Sequence, residues 1–273
     1  KDWVFTSDAQ KDWLERCAAK GYTVPTWPVD YGGAGLTRDQ EKIFHEEMGR
    51  INACSPLQSF GIWMLGPALL HFGSHDQKLE YLPPIARGEV RWCQGYSEPD
   101  AGSDLGNVGL KAELDGDEWV LNGEKWFSSS ASVADIALVM AKTDPDAPRH
   151  EQYSTFLVEL PNPGYEILRN IETMQPHTDL GLKLGGSHSE IKIENLRLPR
   201  ENILGGRGQG FNMGQHRLAY GRLRHGMHNV AMAQRALDLA AKHVIDRSTF
   251  GERLADRQGV RWMLADCASE IYK

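Results

Sequence analysis

The apolar pattern of this chain changes character twice. Residues 1–90 read as helices separated by loop breaks, residues 91–205 as strands and turns, and residues 206–273 as helix again. That order points to an α+β multidomain chain. It has an N-terminal helical domain, a middle antiparallel β-barrel or sandwich, and an incomplete C-terminal helical bundle. At 273 residues the chain is too long for one small domain, and two or three units are expected.

Local signals fill in the outline. Ser7 is placed to cap a helix running through Trp13 and Leu14. From Tyr22 to Leu36, Pro25, Pro28, Gly32, Gly33 and Gly35 forbid a regular helix. Thr37 caps the next helix, Phe60 to Phe72 reads as a buried one, and Ser74 starts another that should end at Pro83-Pro84. Asp115-Gly116 and Asn122-Gly123 both lie between β-prone runs and carry a hairpin signal. Asp135–Met140, Thr155–Leu160 and Glu190–Glu194 read as strands. After Gly210, Leu223, Met227, Val230, Leu237, Ala241 and Val244 form a seven-residue seam suited to a bundle or a dimer interface, with Gln234 as a polar member. Gly251 breaks the pattern, and Gln258 begins a further helix.

Composition narrows the function classes. A net charge of -7 argues against non-specific nucleic-acid binding. No run of about 18 apolar residues suggests a membrane span. Lys1-Asp2-Trp3-Val4 lacks a signal-peptide pattern. Cys17, Cys54, Cys93 and Cys267 are scattered without a CxxC pair, so reduced thiols in a cytoplasmic or mitochondrial-matrix protein are expected, and no metal. His225 and His228, three apart, have no evident carboxylate or Cys partner for zinc. Gly205-Gly206-Arg207-Gly208-Gln209-Gly210 lacks both dinucleotide and P-loop spacing, and reads as a flexible connection. Asp39, Glu46 and Glu47 read as a solvated helix face.

Two segments carry the chemistry. Trp92 to Asp104 contains Ser97-Glu98-Pro99-Asp100-Ala101-Gly102-Ser103-Asp104, a polar loop able to present N–H groups and short hydroxyls to a flat ring system. Asn122 to Ser130 sets the aromatic pair Trp126-Phe127 before three hydroxyls. Either alone is a turn or a core aromatic as readily as a site. Together, and with Asp30 to Leu36 and Arg247-Ser248-Thr249-Phe250-Gly251, they resemble the acyl-CoA dehydrogenase family over nearly the whole chain. Lys125 to Ser129 and Gln215-His216-Arg217-Leu218 further resemble its members ten and eleven.

That resemblance implies FAD lying between the β-domain and the C-terminal bundle. Tyr96 and Ser97 match positions that meet the flavin ring, and Ser103 one near the pyrophosphate and the acyl chain. Phe127 stands where Trp more often flanks the flavin. Ser129 matches a hydroxyl, often Thr, beside flavin N5. Arg247, Phe250 and Gln258 match residues holding the adenosine diphosphate half of FAD across a subunit interface, which implies a homodimer or homotetramer. Arg222 matches an Arg that orients the catalytic carboxylate or the substrate thioester.

The implied reaction is α,β-dehydrogenation of an acyl-CoA to the trans-2-enoyl-CoA, with electrons passing to an electron-transfer flavoprotein. It needs a base for the α-proton. Gly221 stands at one family position for that base, and the other falls past Lys273, so a chain continuing beyond it is expected. Two alternatives stay open: a flavin oxidase or monooxygenase acting on a non-CoA substrate, and a non-catalytic subunit of a hetero-oligomer.

Overall fold

The structure is a computed structural model that describes residues 5, 7–174, 182 and 187–273. The reading of Lys1–Val4 lies outside the described residues. The chain divides into two units, Lys1–Arg217 and Leu218–Lys273.

The first unit opens with helices. Helix α1 (Asp8–Ala18) begins where Ser7 accepts the Gln10 N–H. Helix α2 (Arg38–Arg50) begins at a reciprocal capping box between Thr37 and Gln40. The buried segment expected from Phe60 to Phe72 forms in two parts, a π-helical turn (Gly61–Leu65) and helix α3 (Gly66–Phe72). Any Cβ at position 66 would lie 2.1 Å from the Trp27 ring, so only glycine allows that approach. Helix α4 (His75–Arg87) corrects the expected stop. It runs through Pro83 and Pro84 and ends at Gly88, whose φ is +72°. Two interior prolines are unfavourable. Burial of Leu82, Ile85 and Ala86 outweighs them, and the Thr23 hydroxyl donates to the Ala86 carbonyl at 2.6 Å.

The strands are β1 (Trp92–Gly95), β2 (Lys111–Asp115), β3 (Glu118–Ser129), β4 (Ile136–Lys142), β5 (Tyr153–Glu159), β6 (Tyr165–Ile171), β7 (His188–Pro199) and β8 (Ile203–Leu204). They form one sheet in the order β6-β7-β3-β2-β4-β5-β8, with β1 alongside β4. Pairing is antiparallel as expected, except that β1 and β2 run parallel to β4. The core gathers inward residues such as Leu121, Val139, Phe156, Ile191 and Leu196.

Asp115-Gly116 turns the β2–β3 hairpin as expected. Asn122-Gly123 does not turn the chain: it lies inside β3, where the register against β7 shifts between Leu121 and Gly123. Gly123 has φ +147°, and a Cβ there would meet Leu110 Cα at 2.9 Å. The Asn122 side chain accepts the Asn195 N–H at 2.8 Å. An apparent turn signal is here a strand segment facing a bulge in β7, where Asn195 takes a φ of +49°.

The glycine-rich connection is packed rather than loose. The Gly208 N–H donates to Ser154 Oγ at 3.0 Å, and Arg207 pairs with Asp144. A long helix, Gly210–Asp246, follows. Its first turns belong to the first unit, with Met213 and Arg217 buried there.

The second unit holds the remainder of that helix. A short hairpin of β9 (Ser248–Thr249) and β10 (Glu252–Arg253) follows, and then a last helix, Gln258–Tyr272. Of the expected seam, Leu237 lines an apolar groove with Ala233, Ala236, Ala240, Leu264 and Cys267. Leu223, Met227 and Val230 are exposed. None of the four cysteines forms a disulfide, and no helix among the described residues is long and apolar enough to cross a membrane.

Candidate functional site

The loop after β1 is shaped by its own residues. Glu98 and Ala101 exchange backbone hydrogen bonds at 2.8 and 3.1 Å, closing a tight turn around Pro99-Asp100. The Glu98 carboxylate faces inward and accepts the N–H groups of Gly109 and Leu110 at 2.6 and 3.0 Å. It also accepts from Lys125 Nζ at 2.7 Å. Lys125 donates in addition to the Tyr96 carbonyl at 3.1 Å, and the Trp126 N–H to the Ser97 carbonyl at 2.8 Å. The two sequence segments are therefore fastened together by side chain and backbone. The Lys125 side chain is 0% exposed and that of Glu98 10%. Burial pushes the Lys125 amine down to about 8, and the charge of Glu98 opposes that fall.

Beyond Lys125, β3 leaves its ladder. Lys125 pairs with Ile191 and Ser128 with Ser189, so three steps on β3 match two on β7. The extra residue falls at Trp126-Phe127, and Phe127 takes a left-handed φ of +52°. This turns its ring outward, 49% exposed and edge-on to Trp126 at 5.6 Å. Trp126 carries the Arg169 guanidinium 5.5 Å over its ring. Ser129 returns to the ladder opposite His188, and Ser129 Oγ lies 2.8 Å from His188 Nδ1.

These features enclose one cleft, lined by Phe60, Met64, Gln94, Tyr96, Ser97, Trp126, Phe127 and Ser129. Four residues expected at a flavin ring, Tyr96, Ser97, Phe127 and Ser129, meet there. Gln94 Oε1 is buried with no hydrogen-bond partner among the described residues, an acceptor left for a bound molecule. Behind the cleft, Tyr96 is buried beneath Arg217, whose guanidinium carbon lies 5.3 Å over its ring. Burial raises the Tyr96 phenol and lowers the Arg217 guanidinium, each against the influence of the other.

The other expected residues lie elsewhere. Ser103 is exposed on the loop and does not line the cleft. The second unit carries Gly221 and Arg222 on the long helix, with Arg222 exposed. Arg247 follows that helix, Phe250 sits 98% exposed at the hairpin tip, and Gln258 opens the last helix. Arg257 holds that hairpin, donating to the Thr249 carbonyl at 2.8 Å with its guanidinium over the Phe250 ring. Among the described residues no group of three or more His, Cys, Asp or Glu side chains is arranged to hold a metal ion.

Phe60, Met64, Gln94 and His188 were not singled out from the sequence. Phe60 and Met64 read only as a buried helix, and Gln94 as part of a strand lead-in. His188 carries no sequence signal, because only strand pairing brings it to Ser129.

Comparison with known proteins covers most of the chain. Residues 1–89 match the model of the acyl-CoA dehydrogenase N-terminal domain, residues 93–195 the middle domain and residues 208–273 the C-terminal domain. Acyl-CoA dehydrogenase IpdE1 of Mycobacterium tuberculosis is 35% identical over 215 residues, covering 79% of this chain and 54% of that protein. Acyl-CoA dehydrogenase family member 10 of Mus musculus is 34% identical over 269 residues, 94% of this chain and 24% of that protein. The crystal structure of acyl-CoA dehydrogenase from Geobacillus kaustophilus superposes with a TM-score of 0.77 at 28% identity, covering 96% of this chain and 67% of that one. The chain thus spans about half the length of IpdE1 and less of the mouse protein.

Proposed function

This chain belongs to the acyl-CoA dehydrogenase family, and from that premise we propose that it forms most of the flavin site of an FAD-dependent acyl-CoA dehydrogenase. The reaction is α,β-dehydrogenation of an acyl-CoA thioester to the trans-2-enoyl-CoA, with an electron-transfer flavoprotein as acceptor. One observation carries the reading. Tyr96, Ser97, Phe127 and Ser129, from two separate segments, line one cleft beside the unpaired Gln94 Oε1.

The residues fit a flavin ring. Phe127 and Trp126 offer aromatic surface, Ser97 and Ser129 offer hydroxyls, and Gln94 offers an acceptor. FAD, when bound, supplies the two-electron acceptor that no side chain provides. The chain's own contribution is to hold these groups in place and to exclude water. Lys125 and Glu98 lock the two loops so that Ser97 and Phe127 keep their separation. Ser129 presents a hydroxyl to the cleft that can stabilise developing charge. Arg247, Phe250 and Gln258 are assigned to the adenosine diphosphate half of FAD across a subunit interface, making the assembly a homodimer or homotetramer. Arg222 is assigned to orient the thioester, and Ser103 to sit near the pyrophosphate.

The test is spectroscopic. Purified protein is expected to be yellow or to take up FAD, and to bleach anaerobically with at least one acyl-CoA in a chain-length panel. Protein that stays colourless with excess FAD overturns the reading. Turnover that consumes oxygen stoichiometrically replaces the dehydrogenase with an oxidase.

A further inference from the structure

His188 lies outside both segments that mark the cleft, 59 residues from Ser129, yet its Nδ1 is 2.8 Å from the Ser129 hydroxyl. The pair is built rather than incidental. Ser129 and His188 are direct cross-strand partners at the ends of β3 and β7. The next step of the chain is closed by the Ser130 N–H donating to the Ser187 carbonyl at 2.8 Å. Ser132 and Ser187 share a further hydroxyl contact at 2.8 Å. On the other side the half-buried imidazole stands edge-on to Phe127, with ring centroids 6.3 Å apart. Ring and hydroxyl are thus held from both strands, and Ser129 itself lines the cleft.

A serine hydroxyl has one proton and two lone pairs. A partner at 2.8 Å therefore decides what remains for the cleft. If Nδ1 carries the imidazole proton, it donates to Ser129 Oγ, and the serine proton is free to point into the cleft. If the proton sits on Nε2, Ser129 donates to Nδ1 and turns its lone pairs outward. Either way the hydroxyl loses its free rotation.

We propose that His188 is a positioning residue that sets the direction of the Ser129 hydroxyl, and so the polarity this hydroxyl presents to a flavin bound in the cleft. The inference rests on the flavin reading above and deepens it. His188 needs no contact with the flavin, because it acts through Ser129.

The test is a double-mutant cycle on the FAD-loaded, intact protein with His188→Ala, Ser129→Ala and the double variant. The readouts are the flavin absorption bands, the flavin midpoint potential and FAD affinity. The expected result is that each single variant shifts the potential and band positions in the same direction. Each should also weaken FAD binding by roughly five- to tenfold, about one hydrogen bond, and the double variant should show no further change. His188→Asn, whose amide reaches the Nδ1 position, should restore most of the wild-type spectrum even if His188→Ala folds poorly. Two results overturn the inference alone: a wild-type spectrum and potential in FAD-loaded His188→Ala, or a His188→Ala effect that persists in full in the Ser129→Ala background. Wild-type protein that binds no FAD overturns the underlying reading and the inference with it.

Discussion

Lys125 Nζ lies 2.7 Å from Glu98 Oε1, and that contact joins the two loops that form the cleft. The carboxylate also accepts two backbone N–H groups, and the amine also donates to the Tyr96 carbonyl. Each partner is therefore committed in several directions.

Removing one partner should be far worse than removing both. Lys125→Met or Glu98→Ala alone strands a buried charge, and each is expected to cost about 3–5 kcal/mol of folding stability. A double variant, Lys125→Met with Glu98→Gln, leaves neutral groups and should recover part of that loss. Urea unfolding of the three proteins checks this. Additive losses would show that the two side chains do not act as a pair.

The same amine makes a pH prediction. In the folded chain it titrates at about 8, against an ordinary 10.5. Below pH 8 it is charged in both states. Between those values it is neutral when folded and charged when unfolded, so the unfolded state binds more protons, and this group makes stability rise with pH. Melting curves of wild type and Lys125→Met from pH 7 to 10.5 should show the difference moving in favour of wild type as pH rises. A constant difference would contradict the depressed amine.

Phe127 holds a left-handed backbone with its ring half in solvent, a conformation that costs a bulky residue about 1–3 kcal/mol. Phe127→Asn suits that backbone and removes little buried surface. The apoprotein should keep its stability to within about 1 kcal/mol, while FAD retention drops by roughly tenfold or more with loss of the aromatic surface. Equilibrium unfolding of apoprotein and FAD titration separate the two effects. Equal losses in both would make Phe127 a packing residue.

Gly123 sits on β3 opposite the extra residue that β7 inserts between Ile193 and Leu196. With φ +147° and Leu110 Cα 2.9 Å from a notional Cβ, Gly123→Ala has neither conformation nor space. A destabilisation of at least about 2 kcal/mol is expected from strain and overpacking together. Gly116→Ala, at φ +64° with open space around it, should cost only about 1 kcal/mol. Denaturant midpoints for the pair test whether close approach, beyond positive φ, selects glycine here.

What the sequence determined by itself is what neighbours along the chain decide. Ser7, Thr37 and Ser74 start helices through contacts to residues three positions on, and those caps form where they are read. The α, β, α order follows from apolar periodicity. Tyr96, Ser97, Phe127 and Ser129 could be marked from the sequence because two short segments resemble the family pattern, with Phe127 and Ser129 departing from its commoner Trp and Thr. Tertiary structure decided the rest, because the deciding contacts join residues far apart in sequence. Pro83-Pro84 would end an isolated helix, but burial of the residues around them keeps α4 going to Arg87. Asn122-Gly123 would turn a free hairpin, but pairing with a bulged stretch of β7 keeps it inside β3. His188 reached Ser129 only because β3 and β7 pair in one register, and a shift of one residue would turn its ring to the other face of the sheet.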